Sequence, residues 1–373
     1  MAKEYSNESI RALKGADRVR LRPAVIFGSD GIVGCQHSFF EILSNSIDEA
    51  REGYGDIIKV TRYKDGSIKV EDKGRGIPLD YNNVEERYNW ELVFCELYAG
   101  GKYKTNEGIN YEFSLGLNGL GAAATQFSSE YMDVVVYRDG YKYELHFKKG
   151  ENVGGLKKTK SKYDHTGTII KRRPDLDVFT DIDISLDFYK EVLKKQAVVN
   201  KGLKFELYDE ESDKTFEFLY ENGIVDYVKE ISNGKEFTDI KYYSMESKGK
   251  DREDKPEYRV KADVAFCFNN EVNLIEYYHN SSFLEYGGSP DKALKSAFVS
   301  VIDKFLRDEN LYNKGEKKIT FTDIEDSLIF VSNSFSTITS YENQTKKAIT
   351  NKFIQQAMTD FLKKKLEIYL IEN

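Results

Sequence analysis

The stretch that decides the fold runs from residue 39 to residue 50 and reads FFEILSNSIDEA. Its apolar residues recur at helical spacing, so the sequence predicts a helix whose apolar stripe is formed by Phe39, Leu43, Ile47 and Ala50. The opposite face carries short oxygen-bearing side chains, namely Glu41, Asn45 and Asp48. By itself this pattern favours an ordinary amphipathic helix. The functional alternative is a carboxylate that polarises a water and an amide oxygen that holds Mg²⁺.

Two glycine-rich motifs follow this helix and shift the balance towards function. Residues 70–78 read VEDKGRGIP, and residues 115–121 read LGLNGLG. Either motif alone is most often a tight turn. The order of a helix with E-x-x-x-N-x-x-D-E, then D-x-G-x-G, then G-x-x-G-x-G resembles the GHKL ATPases, the family that joins gyrase, Hsp90, MutL and histidine kinases. Within that family, the chain resembles the ATPase region of the bacterial type II topoisomerase B subunit, gyrase B or topoisomerase IV B.

Length and composition limit the other possibilities. The chain has 373 residues and a formal net charge of -8, which suggests two domains and argues against an overall basic nucleic-acid binder. The sequence contains neither an apolar run of membrane-spanning length nor a signal-peptide core near its start. The three cysteines are widely spaced and form neither a disulfide framework nor a zinc pattern. We therefore expect a cytoplasmic protein without a membrane partner.

The resemblance also implies the architecture. It predicts an α+β chain with a Bergerat (GHKL) α/β sandwich followed by a ribosomal-S5-domain-2-like transducer domain. We place the boundary in an acidic polar stretch, which gives an ATPase domain with an N-terminal dimerisation arm over residues 1–213. The transducer domain would occupy residues 214–373 and end in a long C-terminal helix.

Local patterns predict several elements of the second half. Ser289-Pro290 is expected to start a helix that runs to about Asp308, because a hydroxyl cap precedes a proline in the first turn. Residues 317–321 and 328–331 are expected to form strands. Residues 348–369 are expected to form the C-terminal helix.

The resemblance assigns a hydrolytic site. Glu41 would orient or deprotonate the attacking water, His37 would support it from one helical turn away, and Asn45 would carry Mg²⁺. A Gln-Thr-Lys loop ahead of the C-terminal helix resembles one in the topoisomerase transducer, so Gln344 and Lys346 would stabilise charge at the γ-phosphate. Three residues alone would favour an ordinary helix start. Their place in the chain favours the loop.

The nucleotide contacts implied by the resemblance centre on Asp72, which would accept the exocyclic amine of adenine. The backbone amides after residue 116 would cradle phosphates at the start of a helix. The full set of implied ATP contacts is Tyr5, Asn45, Asp48, Glu49, Asp72, Arg75, Gly76, Ile77, Pro78, Lys102, Tyr111, Leu117, Asn118, Gly119, Leu120, Gly121, Ala122, Ala123, Thr168 and Lys346.

The resemblance further implies partners. Tyr5 and Ile10 occupy the positions of an arm that crosses to the second protomer, so we expect a homodimer on ATP binding. DNA, and a cleavage subunit of the gyrase A or topoisomerase IV A type, would join through further C-terminal domains. Because no TOPRIM-type acidic cluster follows the transducer, we expect no DNA cleavage by this chain alone.

Other interpretations remain open at this point. A nucleotide-gated dimerisation module with little turnover is the main alternative, and intact Glu41 and Lys346 argue against it. The Tyr5 arm and the Gln-Thr-Lys loop argue against an Hsp90-like or MutL-like protein. Departures from the family pattern at residues 24–26, Leu115, Asn118 and Ser289-Pro290 indicate a divergent lineage. The sequence does not separate gyrase from topoisomerase IV.

Overall fold

The computed structural model describes residues 12–100, 119–342 and 346–373. These residues form two compact units. The first comprises most of the chain up to residue 189 together with 206–216, and the second comprises 190–205 and the chain from 217 onwards. The proposed boundary between residues 213 and 214 stays a prediction. Within the described ranges, no helix has the length and apolar character that a membrane crossing requires.

Up to residue 218 the described residues alternate between helices and strands. The helices are α1 (Asp17–Arg20), α2 (Pro23–Phe27), α3 (Ile32–Arg51), α4 (Asn89–Cys95), α5 (Gly121–Phe127) and α6 (Leu186–Val199). The strands are β1 (Ile57–Arg62), β2 (Ile68–Asp72), β3 (Tyr81–Asn82), β4 (Arg87–Tyr88), β5 (Ser129–Arg138), β6 (Tyr141–Lys148), β7 (Glu151–Asn152), β8 (Lys157–Lys160), β9 (Gly167–Pro174), β10 (Lys204–Asp209) and β11 (Lys214–Phe218).

Nine of these strands form one sheet in the order β11-β10-β1-β2-β9-β5-β6-β7, with β8 also paired to β6. The predicted helix is α3, and it packs against β1, β2 and β9. Its apolar stripe is confirmed at Phe39, Leu43 and Ile47, which are buried, whereas Ala50 is only partly buried. The sheet presents alternate residues to this core, among them Val70, which pairs with Ile170 of β9. The helix begins earlier than the sequence indicated, so His37 lies within it.

A charged side chain interrupts this apolar core. Arg172 of β9 is fully buried, and its Nη1 donates to Ser38 Oγ at 2.7 Å. Among the described residues, neither its Nε nor its Nη2 has a hydrogen-bond partner. Burial lowers the pKa of the Arg172 guanidinium. The charge is therefore held at a cost to folding, because desolvation disfavours a buried ion that lacks compensating partners.

We expect Arg172→Met to raise the free energy of unfolding, by about 1–4 kcal/mol, because an apolar side chain of similar length removes the desolvation cost. Thermal and urea unfolding would measure the change. The matched control is Arg173→Met, which removes a half-exposed ion pair to Glu130 and should change stability by no more than about 1 kcal/mol. Loss of stability in Arg172→Met would contradict this account of the core.

The rest of the chain forms the second part of the structure. Its helices are α7 (Ile224–Ser232), α8 (Ser289–Asp308), α9 (Phe321–Glu325) and α10 (Lys352–Glu372). Its strands are β12 (Lys241–Gly249), β13 (Tyr258–Phe268), β14 (Leu274–His279), β15 (Ser282–Phe283), β16 (Gly287–Gly288), β17 (Leu328–Ser336) and β18 (Ala348–Ile349).

Five of these strands form a sheet in the order β12-β13-β17-β14-β15, in which β14 runs parallel to β17. Helices α8 and α10 pack against each other, and α10 also contacts β12. The shared core contains Phe266, Phe298 and Phe330, whose rings meet edge to face.

The predicted helix from Ser289 to Asp308 is confirmed, but the predicted hydroxyl cap is wrong. Gly288 is the N-cap residue, and the Ser289 hydroxyl donates to the Asn351 carbonyl instead.

One predicted element of this part is wrong, and the predicted C-terminal helix starts at a different residue. Residues 317–321 form no strand, because the Thr320 amide and hydroxyl both donate to the Asp323 carboxylate and this cap starts α9 instead. The C-terminal helix begins at Lys352 instead of Ala348. Ala348 and Ile349 form β18, which pairs in parallel with Gly287 and Gly288 of β16.

Candidate active site

The predicted catalytic carboxylate lies where α3 meets the first turn of α5. Glu41 Oε1 is 3.0 Å from His37 Nε2, and both side chains are largely buried. The Glu41 Oε2 atom lies so close to Gly121 that a Cβ built there would stand 2.2 Å from it. A side chain at position 121 would therefore displace the carboxylate. The structure brings the predicted glutamate, its histidine and the glycine-rich turn together.

Asn45 and Asp48 follow Glu41 on the same helix. The Asn45 Nδ2 donates to the Glu41 carbonyl at 3.1 Å, which assigns the nitrogen end of the amide to the helix backbone. The oxygen is then the end that a hard cation would use. Asp48, which the sequence places on the same face as Glu41 and Asn45, is only 2% exposed.

Asp72 ends β2 and is held by three donors. Its Oδ1 accepts from the amides of Gly74 at 2.9 Å and Thr168 at 3.1 Å, and its Oδ2 accepts from Ser46 Oγ at 2.7 Å. Burial raises the pKa of the Asp72 carboxyl despite these hydrogen bonds. The antiparallel pairing of β2 with β9 places Thr168 beside it. Sequence reasoning missed Ser46, since a serine next to Asn45 gives no signal of its own.

A bidentate ion pair stands next to this carboxylate. The Arg75 Nε and Nη2 donate to the two Glu49 oxygens, each at 3.0 Å. The guanidinium also stacks over Tyr54, 4.1 Å from the ring centre, a contact that the sequence did not indicate. The pair fixes the turn that follows Asp72, because the Arg75 amide also donates to Glu49.

The glycines of this turn are required because neighbouring protein atoms leave no room for a side chain. A Cβ on Gly74 would stand 2.9 Å from the Glu49 Cβ, and a Cβ on Gly76 would stand 2.6 Å from the Tyr137 carbonyl oxygen. Gly76 also has a φ of 78°. The Arg138 Nη1 donates to the Gly76 carbonyl at 2.7 Å. The Ile77 amide donates to Thr168 Oγ1 at 3.3 Å. Pro78, which follows, is exposed.

The second glycine motif leads into α5. Gly119 has a φ of 59°, Leu120 and Ala123 are buried, and Gly121 and Ala122 begin the helix. The Tyr98 amide donates to the Gly119 carbonyl at 3.0 Å, so the segment that follows α4 and the start of α5 lie side by side. The first amides of a helix have no partner within the helix, and they suit anions.

Several predicted residues lie outside the described residues, namely Tyr5, Ile10, Lys102, Tyr111, Leu117, Asn118 and Gln344. Lys346 is described and belongs to the second unit. Its backbone has a φ of 58°, and its ammonium lies 6.0 Å from the ring centre of Tyr341. The roles assigned to all of these residues stay predictions.

Comparisons with known proteins agree on one family. A family model described as DNA gyrase B matches residues 223–373. The B subunit of DNA gyrase from Thermotoga maritima is 31% identical over 98% of the chain, and the B subunit of DNA topoisomerase 4 from Staphylococcus epidermidis is 33% identical over 99%. Residues 223–373 belong to the DNA gyrase B family, and the chain as a whole is similar to these B subunits. It spans 56% and 54% of these two relatives, so it corresponds to about half of their length.

A solved structure supports the same assignment. The 43K ATPase domain of Thermus thermophilus gyrase B, in complex with an aminocoumarin, superimposes with a TM-score of 0.72 at 26% identity. The match covers 98% of this chain and 92% of that one. The predicted α+β class is confirmed, and the gyrase B likeness extends over both parts of the chain.

The residues gathered at this site suit a magnesium nucleotide. Among the described residues, no group of three or more histidine, cysteine, aspartate or glutamate side chains is arranged to hold a metal ion. A single amide oxygen such as that of Asn45 fits Mg²⁺, which keeps waters and phosphate oxygens as its other ligands. Asp72 supplies a fixed acceptor, and the start of α5 supplies amide donors.

Proposed function

We propose that this chain is the ATPase region of a type II topoisomerase B subunit and hydrolyses MgATP with closure of a dimer. The observation that carries the proposal is the placement of the Glu41–His37 pair against Gly121, at the start of α5. A carboxylate beside a helix start that suits phosphate is the arrangement that in-line attack of water requires.

The chemical roles follow from the contacts. Glu41 holds the attacking water and takes its proton, and His37 keeps the carboxylate in place through the 3.0 Å hydrogen bond. Asn45 would hold Mg²⁺ through its amide oxygen, and the ion would supply positive charge that neutralises the phosphates. The amides of residues 119–123 hold the phosphates, with Lys102, Leu117 and Asn118 as proposed further contacts.

The adenine end is recognised by Asp72. Its Oδ2 accepts the exocyclic amine beside the Ser46 hydroxyl, and Thr168 and Gly76 border the base. Glu49 and Arg75 brace the turn, Ile77 and Pro78 form a wall of the pocket, and Tyr111 is a further proposed contact. Asp48 is a further proposed contact, and its side chain is buried.

Coupling to the rest of the enzyme is also part of the proposal. Gln344 and Lys346 stabilise the γ-phosphate from the transducer domain, and the Tyr5–Ile10 arm joins the partner chain. ATP binding then closes the dimer, and hydrolysis resets it. In the full enzyme this cycle drives DNA strand passage together with a gyrase A or topoisomerase IV A-type cleavage subunit.

Dimer closure can be measured by light scattering with a non-hydrolysable ATP analogue. We expect the analogue to convert monomers to dimers in the wild type, and the double variant Tyr5→Ala/Ile10→Ala to remain monomeric because the crossing contacts are gone. Lys14→Ala, just beyond the arm, is the control and should dimerise normally. If the double variant dimerises as well as the wild type, the role of the arm is wrong.

A further inference from the structure

The segment that carries Gln344 and Lys346 is flanked by a short antiparallel stem. Tyr341 pairs with Ile349 across this stem. The Glu342 amide donates to the Ala348 carbonyl at 3.0 Å, and the Thr350 amide donates to the Ser340 carbonyl at 2.8 Å. Because Lys346 lies between the two sides, the precision of its placement depends on how firmly the stem is held.

One side of the stem is anchored by Asn351. Its Oδ1 accepts from the Ser340 amide at 2.7 Å, and its Nδ2 donates to the Tyr258 hydroxyl at 3.1 Å. The Ser289 hydroxyl, at the start of α8, donates to the Asn351 carbonyl at 2.8 Å. This side is therefore tied to β13 and α8.

The other side is anchored by a buried histidine. The His279 ring, at the end of β14, is 0% exposed. Its Nε2 lies 2.9 Å from Thr339 Oγ1 and 3.1 Å from Ser336 Oγ, and its Nδ1 lies 2.8 Å from Ser334 Oγ. Thr339 immediately precedes the stem residue Ser340. The ring thus links the core of the sheet to the start of the stem.

Three hydroxyl groups surround the His279 ring. The Ser334 hydroxyl donates to the Tyr278 carbonyl at 3.2 Å, and the Ser336 hydroxyl donates to the Ile338 carbonyl at 2.9 Å. Thr339 Oγ1 lies 2.9 Å from His279 Nε2 and also 2.9 Å from Ser336 Oγ. The ring therefore belongs to a network in which backbone carbonyls orient the two serine hydroxyls and Thr339 links the ring to the stem.

The Thr339 hydroxyl is then held from both sides. It hydrogen-bonds with His279 Nε2 at 2.9 Å and accepts from Asn280 Nδ2 at 3.3 Å. A hydroxyl with several polar partners in a buried network has one preferred rotamer, because any other leaves a buried partner unsatisfied. Fixing this rotamer also fixes the backbone that enters the stem.

We propose that His279 is a positioning residue for hydrolysis, which acts through Thr339 to hold the stem that carries Lys346. The inference rests on the proposed function of Lys346 and adds a residue outside the nucleotide contacts. Its physical basis is that misplacement of a reacting group by a fraction of an ångström lowers the rate without changing the chemistry.

Two pairs of variants test the proposal in the full chain. Thr339→Val removes the hydroxyl at nearly constant shape, and Thr339→Ser restores it. His279→Asn keeps an amide near the Nδ1 position, whereas His279→Gln reaches the Nε2 position and can still accept from Thr339. We expect Thr339→Val and His279→Asn to lower kcat about tenfold with KM for ATP unchanged. Thr339→Ser and His279→Gln should stay within about threefold of the wild type.

Amide hydrogen exchange gives a readout that does not depend on nucleotide. The amides of Glu342 and Thr350 should exchange faster in Thr339→Val and at the wild-type rate in Thr339→Ser, because they report opening of the stem. Ser334→Ala is the control within the same network, and it should lower the melting temperature without changing kcat. Unchanged exchange in Thr339→Val, or faster exchange with unchanged kcat, overturns the proposal.

The failure of the proposed function would look different. If Lys346→Ala hydrolysed ATP at the wild-type rate, the role of Lys346 would be wrong. If Lys346→Ala lost activity while Thr339→Val kept both its kcat and its slow exchange, only the role of His279 would be wrong.

Discussion

Replacing Glu41 with glutamine is expected to lower kcat for ATP hydrolysis by about 10²–10⁴-fold, the range that a positioned general base contributes. The variant keeps the shape of the side chain and can still accept from His37, so only the ability to take a proton from water is lost. We expect ATP affinity to stay within about threefold of the wild type, because the substitution does not change the contacts that hold the bound nucleotide before reaction. Steady-state kinetics and nucleotide titration would measure the two quantities.

Glu52→Gln is the matched control for this prediction. It makes the same chemical change at the C-terminal end of α3, and it should leave kcat unchanged. If kcat of the Glu41→Gln variant stayed within about threefold of the wild type, the role of the Glu41 carboxylate in hydrolysis would be wrong.

Replacing Asp72 with asparagine is expected to weaken ATP binding by about 10²-fold or more, because a charge-assisted hydrogen bond is lost and two donors then face each other. The side-chain amide introduced at position 72 cannot flip to avoid this contact between two donors. Its oxygen is needed at the Oδ1 position, where the Gly74 and Thr168 amides both donate, so its nitrogen occupies the Oδ2 position. Calorimetric titration with ATP would measure the loss.

The same substitution is expected to stabilise the protein. Burial raises the pKa of Asp72, so the folded state binds its proton more tightly than the unfolded state does. The wild type therefore loses stability as the pH rises from the unfolded pKa through the folded pKa. Asp72→Asn cannot ionise, so its advantage in melting temperature should be absent at low pH and should grow over that range.

Asp65 provides a control, because its pKa is shifted in the opposite direction to that of Asp72. Although partial burial opposes it, hydrogen bonds from Ser67 lower the pKa of the Asp65 carboxyl. Its contribution to stability is present above the unfolded pKa and is lost as the pH falls through the folded pKa, so Asp65→Asn should lower the melting temperature near neutral pH. An Asp72→Asn variant that binds ATP normally would contradict the assignment of the adenine contact.

Much of the site could be predicted from the sequence because its parts are local. Glu41 and His37 are one helical turn apart, so helical periodicity alone brings them together. The turn after Asp72 needs glycine at position 76 because its φ is positive there, and the motif shows this directly. The order of three such motifs then identifies the family.

What the sequence could not supply depends on distant pairing. Ser46 reaches Asp72 only because α3 packs across the end of β2. Ala348 and Ile349 follow a helical pattern, yet they pair with Gly287 and Gly288 as strands because that partner stands beside them in the fold. The His279 network joins the ends of β14 and β17, and serine and threonine repeats in a strand give no sign of it.

We propose an ATPase whose activity requires two copies of the chain, and the most direct test is steady-state ATP hydrolysis against protein concentration, with Glu41→Gln alongside. We predict that the rate per chain rises with concentration in the wild type, because closure brings two chains together. Glu41→Gln should stay at background throughout while still binding ATP. A wild type that binds ATP but turns over no faster than Glu41→Gln at any concentration would contradict the account and indicate a nucleotide-gated dimerisation module.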